Sequence, residues 1–342
     1  MKDTGFVLDE RYRLHDTGPG HPERSDRIGV LMRSIEERPG LRRIAPRAAT
    51  GDEITLVHDE RHFDAVDRTS GLARAAFDAD TPVSADSFGT ACLATGGVLA
   101  AVDAVMAGEI DNAFAMVRPP GHHAERSQAM GFCLFNNIAV GAAYLRRRYG
   151  LNRILIMDWD VHHGNGSQHS FYADPGVLFI STHRYPFYPG TGSIDEVGRG
   201  EGEGYTVNLP LPAGFGDTEY DELFEAVVVP IAEAYEPEFV LISAGFDPHA
   251  RDPLGGMAVT EAGFARMARR LLDVAEHCAQ RRCVAVLEGG YDLQAIRDSS
   301  LAVLDQFSGR SESLAPPTGP PGRATPVVDA ARRRFAEYWG RW

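Results

Sequence analysis

Cysteine is scarce in this chain. Only Cys92, Cys133, Cys278 and Cys283 are present, and none has the CxxC or other spacing of a metal site or redox pair. A disulfide framework of the small secreted kind is thereby excluded, and packed thiols in a reduced compartment are favoured. Long apolar runs are missing too. The opening "MKDTGFVLDERYRLHD" has no signal-like apolar core, and no later stretch approaches the ~18 uninterrupted apolar residues of a membrane span. Internal repeats are absent. Basic residues number 34 against 48 acidic ones, and the net charge of -14 disfavours a nucleic-acid surface while suiting a neutral or cationic substrate. The expectation is a cytoplasmic protein that engages neither nucleic acid nor membrane.

With 342 residues, 44% of them hydrophobic, the chain can bury one large α/β core. Five short apolar runs read as buried parallel strands: "NAFAMV" (112–117), "RILIMDWD" (153–160), "GVLFIST" (176–182), "EFVLISAG" (238–245) and "CVAVLEGG" (283–290). Between them lie helix-like segments at 89–108, 136–150, 219–235 with its internal Pro230, and 261–280. Strands alternating with helices imply a parallel sheet with helices on both faces. The reading places one domain over 1–308 and a Pro/Gly-rich surface linker over 309–325. A final helix over 326–342 would dock on the same domain through aromatic residues. Arg146, Arg147 and Arg148 read as a solvated helix end, well placed against the helix dipole.

Chemistry-bearing residues follow these strands. After "AMV" comes "RPPGHHAE"; after "LIM", "DWDVHHGNG"; after "LISAG", "FDPHARDPLGG"; after "VLEGG", "YD". In open α/β sheets ligands bind at the carboxyl ends of strands, so four distant segments would meet at one rim. In an extended chain Asp158, Asp160 and His162 share a side, and neighbouring carboxylates repel unless a cation lies between them or one is protonated. Oxygen and nitrogen donors without thiolate suit zinc, with two ligands from this segment and Asp247 as the best outside third. A nearly neutralised zinc acidifies its water weakly, which calls for a separate base, and His122 or His123 can supply it. Tyr291, brought round by paired glycines, could donate a hydrogen bond to an oxyanion. Together these describe metal-assisted hydrolysis of an amide. Each part alone has a plain alternative: a structural histidine pair, a capping aspartate, a glycine turn. His15, His58, His62, His169, His249 and His277 are left as surface or core histidines.

These motifs resemble a known family. "HPERSDRI" (21–28), "RPPGHHAERSQAMGFCLFNN" (118–137), "DWDVHHGNGSQHSFY" (158–172), "YPGTG" (188–192), "SAGFDPHARDPLGG" (243–256) and "LEGGYD" (287–292) are similar to the histone deacetylase family. The likeness is to its class II branch and the bacterial histone-deacetylase-like and acetylpolyamine amidohydrolases, and spans residues 20 to 300. It implies the arginase/deacetylase fold, a single α/β domain on an eight-stranded parallel sheet flanked by helices. It also implies one catalytic zinc held by Asp160, His162 and Asp247 at the base of an acyl-lysine tunnel. His123 would be the general base on the metal-bound water, His122 its neighbour paired with Asp158, and Tyr291 the group that polarises the carbonyl.

Asn165 stands where class I members carry Asp. An amide stabilises an imidazolium less than a carboxylate does, so His123 should remain neutral more readily. Tyr291 stands where vertebrate class IIa enzymes carry His, which implies a working hydrolase. Phe132 and Tyr188 match the tunnel walls, with Gly131 and Gly289 beside them. Leu254 matches a mouth residue that is Glu in the polyamine-selective vertebrate branch, and Asp80 is a candidate for gripping substrate backbone. The resemblance further implies potassium near the zinc, at Asp158, Asp160, His162, Ser181 and Thr182, with Asp160 and His162 using backbone carbonyls. Arg27 is left between lining an acetate exit channel and forming a structural salt bridge.

The leading reading is a zinc-dependent deacylase acting on an acylated lysine peptide or a small acyl-amine. The alternatives are an acetylpolyamine deacetylase, which the "DADTP" loop favours and Leu254 disfavours, and a silent acyl-lysine binder. Acyl-chain preference is not readable from the linear pattern, and a homo-oligomer whose contacts narrow the rim is left open.

Overall fold

A computed structural model of the chain describes residues 3–35, 38, 40–310 and 314–340. Its centre is an eight-stranded sheet. The strands are β1 (Thr4–Val7), β2 (Arg42–Ile44), β3 (Asn112–Ala115), β4 (Ile154–Asp158), β5 (Val177–Arg184), β6 (Thr206–Leu211), β7 (Phe239–Ala244) and β8 (Cys283–Leu287). They lie in the order β2-β1-β3-β8-β7-β4-β5-β6, and every pairing is parallel. All five expected strands are present with slightly different ends. Their side chains are buried almost throughout, because helices cover both faces of the sheet and the sequence can run apolar without alternation.

The other three strands carry weak signals. β2 is the exposed edge segment Arg42-Arg43-Ile44. β6, at the opposite edge, contains Pro210, which an edge position tolerates because an N–H there can go unpaired. β1 is four residues long and includes Gly5.

The principal helices are α1 (Asp26–Ile35), α2 (Ser87–Met106), α3 (Asn137–Tyr149), α4 (Asn165–Ser170), α5 (Glu261–Cys278), α6 (Leu293–Phe307) and α7 (Thr325–Trp339). The expected helix over 219–235 is a composite. An α-helical turn over Asp217–Leu223 passes through a π turn at Phe224–Val228 into Val229–Tyr235, so the wider turn immediately precedes Pro230, which cannot donate to the helix ladder. α2 corrects the expectation that no segment has the make-up of a membrane span. Its length and composition would suffice, yet most of it is buried inside this molecule, so it serves as the core helix beside α3.

α3 begins at Asn136, whose side chain accepts the Ala139 N–H, and ends at Gly150 with φ 70°. At its basic end Arg146 pairs with Asp174 rather than remaining fully solvated. Past residue 308, the part of the expected linker at 311–313 lies outside the described residues. The remainder is pinned by Arg266 Nη1 to the Ala315 carbonyl (2.9 Å), Gly319 N–H to Thr218 Oγ1 (3.0 Å) and Gly322 N–H to Glu222 (2.7 Å). α7 then packs back with Phe335 buried and Trp339 Nε1 donating to the Gly204 carbonyl (3.0 Å).

His58 is a core histidine with both nitrogens committed. Nδ1 donates to the Glu125 carbonyl (2.9 Å), and Nε2 accepts the Asn136 N–H (2.8 Å). Burial, reinforced by His62, holds its pKa down at about 3. Its neutral form therefore contributes stability that is complete above the unfolded value near 6.5 and is lost as pH falls towards about 3. The unfolding free energy from denaturant titration should fall by about 2 kcal/mol more for the wild type than for His58→Gln between pH 7 and pH 5. Equal falls in the two proteins would remove His58 from the acid response.

Candidate active site

β3, β8, β7 and β4 are adjacent in the sheet, so the four loops that follow them converge at one end. The approach was expected along an extended strand, but β4 stops at Asp158 and the chain bends over 160–162. Two successive side-chain to backbone bonds cause the bend. Asp158 Oδ1 accepts the Asp160 N–H (3.0 Å), and Asp160 Oδ1 accepts the His162 N–H (2.9 Å). Each aspartate thus shapes the turn that presents the next polar side chain.

Asp160, His162 and Asp247 form a group whose donor atoms all lie within 4.8 Å of one another and could hold a metal ion. His162 Nδ1 stands 3.1 Å from both Asp160 Oδ1 and Asp247 Oδ2. The far oxygens are tied by backbone amides, Asp247 Oδ1 by Val161 N–H and Asp160 Oδ2 by Gly289 N–H, each at 2.8 Å. A Cβ on Gly289 would lie 2.2 Å from Asp247 Oδ2, and one on Gly245 2.1 Å from Asp160 Oδ2, so both positions exclude any side chain. Burial opposes the charge on every member. The two carboxylates nevertheless outweigh it at His162, whose pKa is held up at about 10, while burial and the nearby Asp160 raise Asp247 to about 7. A pocket that draws positive charge to the point between its oxygens fits a divalent cation with nitrogen and oxygen ligands.

Beside this group the two histidines of the β3 loop lie 4.0 Å apart between centroids, their rings tilted by 45°. His122 Nδ1 meets Asp158 Oδ2 at 2.9 Å, and His123 Nδ1 meets Asn165 Oδ1 at 2.8 Å. Burial disfavours charge on both, but Asp158 and Asp160 reverse this for His122 and hold it up at about 10. His123 bonds to the Asn165 amide instead of a carboxylate, and burial together with the fields of His122 and His162 outweighs Asp160 and pushes it well below 6.5. The pair is split into a cationic and a neutral imidazole, a division suited to acid and base roles.

A histone deacetylase domain model matches residues 21–307. This chain belongs to the histone deacetylase family. It is 41% identical over 315 residues to the "Probable deacetylase" of Archaeoglobus fulgidus, covering 90% of this chain and 86% of that protein. It is also 45% identical over 320 residues to histone deacetylase 15 of Arabidopsis thaliana, covering 90% of this chain but 57% of that protein. The crystal structure of the HDA15 HD domain aligns with a TM-score of 0.91 and 41% identity, covering 99% of this chain and 96% of that one. The single-domain arginase/deacetylase architecture follows.

In this deacetylase family member Tyr291 sits over Arg27, whose Cζ is 5.2 Å from the ring centroid, and packs edge-on to Phe132 at 5.8 Å. Gly290, at φ 112°, makes the turn that brings it there. Phe132 itself has φ 69°, unusual for a bulky residue, with its N–H bonded to Thr81 Oγ1 (3.2 Å). Gly131 lies against His123, leaving no room for a Cβ. Tyr188 contacts the His123 ring at 5.1 Å and is 37% exposed, which places it at the mouth. Leu254 is half-buried on the β7 loop, with its N–H on Asp252 Oδ1 (2.9 Å). Asp80 is held near the mouth by its carbonyl, 3.2 Å from His21 Nε2. Asp158 pairs in register with Ser181, and both Ser181 and Thr182 are buried. Ser181 Oγ engages His183 Nδ1 at 2.9 Å, while Thr182 Oγ1 has no hydrogen-bond partner among the described residues.

Several residues around the site, Arg27 excepted, escaped the linear reading. Glu288 is fully buried and accepts the Gly121 and His122 N–H groups (2.6 and 3.1 Å), positioning the histidine loop. Asp252 accepts the Tyr291 N–H (2.6 Å) and so ties the β7 loop to the tyrosine turn. Arg27 donates Nε to the Gly290 carbonyl (2.8 Å) and pairs with Glu23 at 3.0 Å. The same glutamate binds Arg118 at 2.6 Å. Burial opposes Glu23's charge, yet Arg118 and Arg27 hold it down at about 2. Among these residues only Arg27 was singled out, and it does form the buried salt bridge. Charge inside "HPERSDR" and a glutamate ending the apolar run "CVAVLE" were the available signals.

Proposed function

We propose that this chain is a zinc-dependent deacylase that removes acetyl or another short acyl group from the ε-amine of lysine in a peptide. The observation that carries this reading is the convergence of Asp160, His162 and Asp247 beside His122 and His123, with Tyr291 near enough for the charges of Asp247 and Asp160 to act on its phenol. Asp160, His162 and Asp247 would hold the zinc, which when bound supplies Lewis acidity towards the scissile carbonyl and attacking water.

The chain's own groups account for the rest. His123, neutral and with Nδ1 engaged by Asn165, offers Nε2 to take a proton from the attacking water. His122, fixed by Asp158, supplies positive charge next to it. Tyr291 donates its phenolic hydrogen to the oxygen that becomes anionic as the amide is attacked. Phe132 and Tyr188 flank an extended acyl-lysine chain, and Gly131 and Gly289 keep the backbone close. Potassium at Asp158, Asp160, His162, Ser181 and Thr182 belongs to this proposal and would offset carboxylate charge beneath the site.

A second reading has one observation in its favour. Asp78 and Asp80 lie together near the mouth, where burial and Asp78 raise the Asp80 pKa, and such a pair would attract the distal ammonium of an acetylpolyamine. Leu254 offers no anion on the β7 loop. Steady-state kinetics of the zinc-loaded protein on an internal acetyl-lysine peptide and on N-acetylputrescine decide between the two. The expected result is a higher kcat/KM for the peptide. Preference for acetylputrescine would transfer the assignment to the polyamine reading, and activity on neither would sink both.

A further inference from the structure

The proposed base is set up by a residue at the surface. Glu125 follows the histidine pair, and its main chain is secured twice, by its N–H to the Gln128 carbonyl (2.9 Å) and by its carbonyl to His58 Nδ1 (2.9 Å). Its side chain is therefore free to turn back towards α4. There Oε1 accepts Asn165 Nδ2 at 2.5 Å and His169 Nδ1 at 2.8 Å. Asn165 and His169 are four residues apart and share one helix face, so a single carboxylate oxygen reaches both.

The consequence lies in the chemistry of an amide, which donates at one end and accepts at the other. Asn165 Nδ2 faces Glu125 Oε1 and, at 3.2 Å, the His123 carbonyl, and both of these only accept. The nitrogen must therefore be on that side, and Oδ1 must face His123 Nδ1, 2.8 Å away. An acceptor there requires the hydrogen of His123 to reside on Nδ1. The Nε2 lone pair is then left for the reaction. With the amide turned over, Nδ2 would donate to Nδ1, the ring hydrogen would move to Nε2, and the base would have nothing with which to take a proton.

We propose that Glu125 is a positioning residue that, through the amide orientation of Asn165, fixes His123 in the tautomer able to act as base. His169, largely exposed, steadies the carboxylate from the solvent side. This inference deepens the deacylase reading and depends on it only for its kinetic arm.

The test uses the full chain and two substitutions. Glu125→Lys replaces an acceptor by a donor and should invert the amide, lowering kcat by more than ~30-fold with KM within about twofold, since nothing touching substrate has changed. Asn165→Asp removes the question of orientation, because both carboxylate oxygens accept. Adding Glu125→Lys to Asn165→Asp should therefore cost less than about threefold relative to Asn165→Asp alone. Nitrogen-15 NMR of histidine-labelled protein reads the tautomer directly. The expected spectrum has His123 protonated at Nδ1 in the wild type and at Nε2 in Glu125→Lys. An unchanged tautomer in Glu125→Lys, or the same loss of kcat in the Asn165→Asp background, would overturn the proposal. A wild type that hydrolyses no acyl-lysine would instead defeat the deacylase reading, and the NMR arm would still decide this one.

Discussion

Asp247→Asn should abolish turnover while leaving the metal-free protein at least as stable as the wild type. Asn keeps an oxygen for the Val161 N–H at 2.8 Å, so the loop retains its anchor. It removes one of the two fully buried carboxylates that face His162 Nδ1, and thus a major part of the attraction for a cation. Without metal, the wild type must hold Asp160 and Asp247 close together, and the raised pKa of Asp247 reflects the cost of ionising it there. Removing a carboxylate whose ionisation is opposed first by burial and then by Asp160 should stabilise the metal-free fold, whereas losing a ligand should weaken zinc binding more than ~100-fold, beyond the effect of losing an outer hydrogen-bond partner. The measurements are zinc stoichiometry after dialysis, kcat/KM, and melting with and without chelator. The wild type should melt lower when chelated, because a ligand bound only to the folded state stabilises it, and the variant should show no such difference. A variant that keeps one tightly held zinc and near-normal turnover would exclude Asp247 as a ligand.

Tyr291→Phe should lower kcat by ~100- to 1,000-fold, equivalent to about 2.7–4 kcal/mol of transition-state stabilisation, with KM within about threefold. The loss is confined to one hydroxyl. The Tyr291 N–H remains on Asp252 at 2.6 Å, and the ring keeps its contacts with Phe132 and Arg27. Burial, with Asp247 adding to it, keeps the phenol well above its usual pKa of 10, so the wild-type group donates across the whole neutral range. The resulting split, kcat reduced and KM preserved, marks an interaction made in the transition state rather than in the bound substrate. Undiminished kcat in Tyr291→Phe would mean that another donor faces the carbonyl.

The five apolar runs that became β3, β4, β5, β7 and β8 were legible in sequence because a sheet covered on both faces leaves no polar alternation to obscure them. The edge strands β2 and β6 were not, since an edge accepts Arg42, Arg43 and Pro210 and so loses the signature of burial. The motifs themselves named the polar residues and predicted their meeting at strand ends, a consequence of parallel topology that holds whatever the side chains do. What those side chains touch was decided only in three dimensions. The bend at Asp158 and Asp160, the close approach of Gly245 and Gly289 to the carboxylates, and the grip of Glu288 on the histidine loop all join segments more than 40 residues apart or depend on backbone angles. Glu125 shows the division most clearly. In sequence it is one of 48 acidic residues, but the fold brings its oxygen within 2.5 Å of Asn165 and makes it the acceptor that orients the amide. Residue type and order determined which groups were available and at which end of the sheet they would gather. Hydrogen-bond direction, and with it which nitrogen of His123 is free, was decided only by the tertiary structure, because it depends on distances that a linear pattern does not contain.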